Sequence, residues 1–297
     1  MKQQLLCLSA ADIHGNITQY EKIKKLVVEK GISFVFLCGD ILPKTGGTWN
    51  LENKVRTIQM QADFINDYFI NYLTELGRMT NVYAIFGNDD FKSNYHLLSE
   101  ATIPGVTFLD GEVATLPIEG HDLFVAGYPN VGMTPFLHKD WEKWDIEPGN
   151  TPHKLYRTDG YTSADGGHVA IDHADNSSTI QEDLARLATL SDPRKTVYVF
   201  HEAPYNTPLD QIAPGNKYIK DDLLHIGSMA MRDFIEQQQP PVTMHGHIHE
   251  TFDESGDYKW RTGESLSITA ANDFASDTLS YVLFSLADTT QVERLAA

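Results

Sequence analysis

The sequence predicts an α/β fold built on parallel strands, and three observations carry that prediction. Strand-like and helix-like segments alternate through the first third of the chain. Short continuous apolar runs such as FVFLC read as strands covered on both faces. The side chains able to do chemistry stand directly after those runs, beyond the carboxyl ends of the strands, where open parallel sheets carry their sites.

Taken in order, Gln4 to Ser9 reads as a strand, and Ile17 to Lys30 as an amphipathic helix with Ile17, Tyr20, Ile23 and Val27 on its apolar face, ended by Gly31. Phe34 to Cys38 and Val82 to Phe86 are buried strands. Between them a helix from about Lys54 to Leu76 has Val55, Ile58, Ala62, Ile65, Phe69, Leu73 and Leu76 on one stripe. This β-α-β-α-β order implies right-handed crossovers. Short strands follow at Val106 to Leu109, Val113 to Leu116 and Leu123 to Ala126.

From about residue 128 to 177 the chain is rich in Gly, Pro, Asp, His and Trp and has no periodicity, so it reads as a lid or substrate-shaping insertion. A helix restarts at Ser178, spaced from Gln181 as in a capping box. Thr196 to Phe200 is the next strand, Ser228 to Gln237 a helix stopped by Pro240 and Pro241, and Val242 to Met244 a strand. Ser265 to Ala270 and Leu279 to Leu286 read as strands closing a second sheet. With no linker or repeat in view, residues 1–297 are expected to form one domain.

Composition narrows the function classes. A hydrophobic share of 41% fills a sizeable core, and a formal net charge of -18 makes extended nucleic acid a poor partner. Cys7 and Cys38 both lie in apolar runs, so buried thiols are expected and a disulfide scaffold is excluded. The apolar run in MKQQLLCLSA is too short for a signal peptide, and no run approaches the roughly 18 residues of a membrane span. The setting expected is therefore cytoplasmic, with the oligomeric state unspecified.

Five scattered clusters carry the chemistry: Asp12 and His14 in ADIHGN, Asp40 in LCGD, Asn88 in FGND, His201 in VFHEAP, and His247 with His249 in HGHIHE. Each alone is weak, but in this order after successive strands they supply ligands for two adjacent divalent ions. Asp40 is the candidate bridge, because a shared carboxylate lets two cations approach. Two dications bring four positive charges, of which Asp12 and Asp40 cancel two. The remaining ligands are neutral, so net positive charge is left for a phosphate. Imidazole, carboxylate and amide together favour Mn, Fe, Zn, Ni or Co over Ca, with Mn first. The chemistry expected is hydrolysis of a small phosphate ester by a hydroxide bridging the two ions.

The order DxH, GD, GN, H, GHxH from Asp12 to His249 resembles the calcineurin-like metallophosphoesterase superfamily. The resemblance implies a four-layer α/β/β/α sandwich with the dimetal site at its edge. It further implies that Asp12, His14 and His249 hold one metal, Asn88, His201 and His247 the other, and Asp40 both.

In that superfamily a His that commonly gives a proton to the leaving oxygen follows the GN asparagine; here Asp89 stands in its place, giving GNDD. Asp89 is therefore a candidate acid, or else a turn residue or ligand orienter. Losing the His points to a small phosphodiester or nucleotide-like substrate, with a monoesterase or a non-catalytic scaffold as the alternatives. Pro43, in place of a tyrosine three residues after Asp40, argues against the purple acid phosphatase branch.

Asn88, with His201, also belongs to the expected catalytic and substrate-contacting set. His245 is a candidate for substrate contact or for an orienting role, and Glu202 for orienting His201 or for a solvated charge. His138, His153, His168, His173, Asp172 and Asp175 read as surface loop residues in preference to another metal site, and Trp141 and Trp144 as packing of the insertion onto the body in preference to stacking on a base or covering the pocket.

Overall fold

The computed structural model describes residues 5–44, 51–149, 159–163, 169–171, 177–216 and 223–297, with backbone alone at 51–54 and 169–171. The chain runs β1 (Leu6–Ala10), α1 (Ile17–Lys30), β2 (Phe34–Cys38), α2 (Leu51–Phe64), a π-helical turn (Ile65–Phe69), α3 (Ile70–Gly77), β3 (Asn81–Ile85), α4 (His96–Ser99), β4 (Val106–Phe108), β5 (Glu112–Thr115) and β6 (Phe124–Tyr128). It continues with β7 (Gly160–Thr162), β8 (Val169–Ile171), α5 (Ile180–Leu187), β9 (Thr196–Phe200), α6 (Met229–Gln238), β10 (Val242–His245), α7 (Thr251–Ser255), β11 (Lys259–Thr262), β12 (Ser265–Thr269), β13 (Ser280–Ser285) and β14 (Asp288–Ala296).

Two six-stranded sheets result, ordered β14-β13-β1-β2-β3-β4 and β11-β12-β10-β9-β6-β5. The β1-β2-β3-β4 run is parallel, as the alternating pattern predicts, and so is β6-β9-β10-β12. One expectation fails: β12 joins the second sheet, but β13 returns to the first, antiparallel to β1. A strand that leaves one sheet and closes the other cannot be assigned from its own alternation.

Three apolar layers glue the sandwich. Phe36, Tyr83, Val199, Met244 and Phe284 pack between the sheets; α1 and the α2–α3 helix cover the first sheet; α5 and α6 cover the second. The order is α/β/β/α, the four-layer arrangement expected. Cys7 and Cys38 are buried free thiols. Among the described residues no helix is long and apolar enough to cross a membrane.

Helix α1 has the predicted bounds. Asn16 caps it by accepting from the Gln19 N–H, and Gly31 closes it in the left-handed conformation at φ 63°, which a residue without Cβ adopts at little cost. Its inner face is not the one expected at its start. Ile17 is half exposed and Gln19 is buried instead, donating to the carbonyls of Asp273, Ser276 and Thr278.

The predicted long helix is interrupted by the π turn, which crowds Phe64, Phe69 and Tyr72 around Tyr20, with ring centroids 4.9–6.3 Å from it. Val55 of the expected stripe is exposed, and Thr57 and Gln61 face inward. The capping box of α5 falls on Thr179 and Glu182, one residue beyond Ser178 and Gln181. Ser178 donates to Asp183 instead.

The insertion departs most from its sequence impression. The run KDWEKWD, Lys139 to Asp145, is buried throughout. Lys139 pairs with Glu142 at 2.8 Å, and Lys143 with Asp183 at 2.7 Å. Asp145 accepts from the N-terminal amides of α6, 2.8 Å from Met229 N. Trp141 sits in the first core and donates to the Asp90 carbonyl at 2.6 Å. Asp140 receives the Lys92 N–H at 2.8 Å, faces His138 Nε2 at 2.8 Å and binds Ser163. Buried charge neutralised by buried charge leaves no hydropathy signal. Trp141 thus packs the insertion onto the body as expected; His153, His168, His173, Asp172 and Asp175 lie outside the described residues.

Burial works to raise the Asp140 pKa, but His138 and the Ser163 hydrogen bonds outweigh it and lower the carboxyl to about 2. A carboxyl depressed on folding stabilises the native state above its unfolded pKa, near 4, and loses that contribution as pH falls through about 2. The difference is on the order of 2 kcal/mol. Asp140→Asn should therefore show a smaller loss of stability between pH 5 and pH 2 than the parent, measured by urea unfolding across that range.

Candidate metal centre

All seven side chains expected at the site sit on loops leaving one edge of the sandwich. The loops after β1, β2 and β3 bring Asp12, His14, Asp40 and Asn88 from the first sheet, and the loops after β9 and β10 bring His201, His247 and His249 from the second. Asp12, His14, Asp40 and His247 all have positive φ, between 46° and 72°. Left-handed backbone costs a side-chain-bearing residue on the order of 1–3 kcal/mol, and its recurrence at four of the seven marks strain kept for aim.

The donor atoms form two groups that share Asp40. Asp12, His14, Asp40 and His249 each offer one ligand atom, all within 4.8 Å of one another, and form a group that could hold a metal ion. Within it His14 Nε2 lies 3.5 Å from both Asp40 Oδ2 and His249 Nε2, and His249 Nε2 lies 3.5 Å from Asp12 Oδ1. In the second group Asn88 Oδ1 is 3.0 Å from His201 Nε2 and 2.7 Å from His247 Nδ1, while His201 Nε2 is 3.5 Å from Asp40 Oδ1. His201 turns Nδ1 to the Cys38 carbonyl at 2.8 Å, which leaves Nε2 facing the cluster.

Close approach of backbone makes this density attainable. A Cβ on Gly39, which has φ 90°, would strike the His201 ring, and one on Gly87 would strike Asp40.

Electrostatics reports crowding among acceptors. Burial, reinforced by Asp40, raises the Asp12 carboxyl to about 7 despite the opposing effect of His201. Burial lowers His14 and His247 to about 3 and His249 to about 4, so these rings are neutral and present lone pairs. For His201 burial acts downward as well, but the facing Asp40 carboxylate prevails and raises it to about 10. Two buried carboxylates sharing one pocket favour positive charge between them, a need that the His201 ring meets in part.

Two residues outside the expected set weld the loops together. Asp90, fully buried, accepts from the backbone N–H groups of Ile41, Leu42 and Gly87 at 2.7–3.1 Å, joining the Asp40 loop to the Asn88 loop. Gln61 repeats the bond from below, donating to the carbonyls of Pro43 at 3.1 Å and Asp89 at 2.8 Å and accepting from Phe91 N at 2.9 Å. The Asp89 N–H then donates to Asp40 Oδ1 at 2.8 Å.

Two of the expected contacts are corrected by this geometry. Asp89 Oδ2 lies 3.0 Å from Lys44 Nζ, so its carboxylate acts as an acceptor for an ammonium, the opposite of what a general acid needs. His245 is fully buried, with Nδ1 on the Glu202 carbonyl at 2.6 Å and Nε2 on Thr243 Oγ1 at 2.7 Å, and has no ring nitrogen to offer a substrate. Glu202 is neither a solvated charge nor bonded to His201. It is buried, raised by that burial to about 8, and accepts from the Gly132 and Ala203 N–H groups.

A cleft of about 380 Å³ opens over the centre. Asp40, Asn88, His247 and His249 form its polar floor, and Met133, Pro135, Phe136, Ile212, Ile226 and Phe274 its apolar walls. Gly132 to Phe136 of that wall belong to the insertion.

Comparison with known proteins decides the family. The family model described as calcineurin-like phosphoesterase matches residues 8–251, most of the chain and all seven of these positions. The chain belongs to the calcineurin-like phosphoesterase family. Two crystal structures superpose over 99% of this chain and 99% of theirs. One shares 16% identity at TM-score 0.58; the other, the protein TT1561 of Thermus thermophilus, shares 15% at 0.53. A dimetal phosphatase from Danio rerio matches over 99% of both chains, at 11% identity and TM-score 0.49. At such identities the likeness concerns the fold, and the first two carry it. None of the curated proteins matches the chain significantly in sequence.

Members of the calcineurin-like phosphoesterase family typically use two divalent metals, and this chain has the cluster able to hold a metal. Asp90→Ala would orphan three buried N–H groups at about 1–3 kcal/mol each. It should lower stability by at least about 3 kcal/mol in denaturant titration and reduce bound metal in elemental analysis, with Asp90→Asn intermediate.

Proposed function

We propose that this phosphoesterase-family chain hydrolyses a small phosphodiester, with Asp12, His14 and His249 holding one divalent ion, Asn88, His201 and His247 a second, and Asp40 both. The observation that carries the reading is the pair of donor groups meeting at Asp40. Neutral His14, His247 and His249, the His201 ring facing Asp40, two carboxylates and an amide oxygen converge there. That donor set suits Mn, Fe, Zn, Ni or Co, of which we favour Mn. Bound there, two such cations would polarise phosphoryl oxygens and lower the pKa of a water.

The chain's own residues do the rest. Asp40 is kept in place from both sides, by the Asp89 N–H and the welded loops, so one carboxylate can serve two ions. The Cys38 carbonyl fixes the tautomer of His201, and the Asp12 carboxylate, accepting from the His247 N–H at 3.1 Å, ties the two sheets' loops together. Asn88 lies at the cleft floor, where it can reach both an ion and a phosphoryl oxygen. The preference for a diester rests on the cleft. Its size admits a small molecule, and its apolar walls offer a surface to the second ester group that a monoester lacks.

The test is hydrolysis of bis(p-nitrophenyl) phosphate and p-nitrophenyl phosphate by chelator-treated protein, before and after adding Mn or another of these metals. Turnover is expected only after metal addition, with the diester preferred, and Asp40→Asn should lower it by more than about 100-fold. Metal-independent turnover, or an active Asp40→Asn protein, would refute the proposal.

A further inference from the structure

The residue after Asn88 is a carboxylate, Asp89, at the mouth of the proposed metal centre. A phosphate approaching here meets Asp40, Asp89 and Glu250 on a chain of net charge -18. Among the described residues lining the cleft, Lys44 is the only lysine or arginine.

Its placement is specific. Lys44 Nζ lies 3.0 Å from Asp89 Oδ2 and 4.3 Å from the centroid of the Phe274 ring. That ring stands edge-on to His14, with centroids 4.9 Å apart, and to His249 at 6.0 Å. The ammonium is thus one aromatic ring away from two of the proposed ligands. Both of its supports are themselves anchored. Gln61 binds the carbonyls of Pro43 and Asp89, and Asn16 Nδ2 donates to the carbonyls of Phe274 and Ser276, while Gln19 holds the rest of that loop.

With its side chain only 23% exposed, the lysine pays a desolvation cost that a surface position would avoid. Of its three N–H donors, one is directed at Asp89.

We propose that Lys44, positioned by Asp89 and Phe274, contacts the substrate phosphate and supplies a positive charge to it. This rests on the hydrolase reading above. Asp89 is then a positioning residue for the ammonium. Burial tends to lower the lysine's pKa, and Asp89 and Asp40 outweigh it and raise it.

The test uses metal-loaded full-length protein with metal content measured for every variant. Lys44→Met, with Lys44→Gln as a second neutral variant, should retain metal yet bind inorganic phosphate at least about 10-fold more weakly by calorimetry. Either should lose about 100-fold in kcat/KM on bis(p-nitrophenyl) phosphate, the scale of removing one donor to a transition-state oxyanion. Lys44→Arg should recover most of both. Asp89→Asn should keep metal and part of the phosphate affinity.

Unchanged phosphate affinity in both neutral variants would overturn the proposal. So would loss of metal in both, which would make the lysine structural. If the parent protein takes up metal but turns over neither ester, the hydrolase reading fails. In that case a phosphate affinity that still depends on Lys44 would uphold the lysine's role.

Discussion

The contact on which the rest of the structure depends is that of Asp40 with its surroundings. Its carboxylate faces His14 on one oxygen and His201 and the Asp89 N–H on the other, while Asp12 shares its low-dielectric pocket. Burying two carboxylates so close is costly, and the cost is offset by sharing a proton or positive charge, from the His201 ring or a bound cation, between them. The strained backbone at Asp12, His14, Asp40 and His247, the glycines that let loops touch, and the loop-welding Asp90 are consequences of holding that arrangement.

Much of this was legible in the sequence, for a physical reason. Strands buried on both faces must be apolar throughout, so β2 and β9 appear with their observed bounds, and Asn16 and Gly31 delimit α1 through backbone geometry that few residues satisfy. Metal-binding residue types right after strands stand out against such runs. The order Asp12, His14, Asp40, Asn88, His201, His247 and His249 was therefore readable, and the structure brings these residues together.

What was hidden follows an equally physical logic. Lys44, Gln61, Asp90 and Phe274 act through hydrogen bonds or ring contacts made mostly to segments remote in sequence, and nothing local distinguishes a buried Gln61 from a solvated one. The KDWEKWD run was opaque because its charges neutralise one another in the interior: Lys139 finds Glu142, and Lys143 finds Asp183. Strand β13 was placed in the wrong sheet because alternation specifies a face and not a neighbour. His245 lost its assigned contact because an imidazole within a histidine-rich motif looks the same whether it faces solvent or a carbonyl.

The His201 to Cys38 hydrogen bond joins the last residue of a strand in one sheet to a ring carried by the other. Neither sheet holds a complete set of the proposed ligands. The halves of the sandwich must therefore keep registry with each other to within hydrogen-bonding tolerance, and any sliding of one sheet across the other would pull the two coordination groups out of alignment. An ion seated across that seam would act as a rivet, so occupancy should stiffen the whole sandwich and not just its rim.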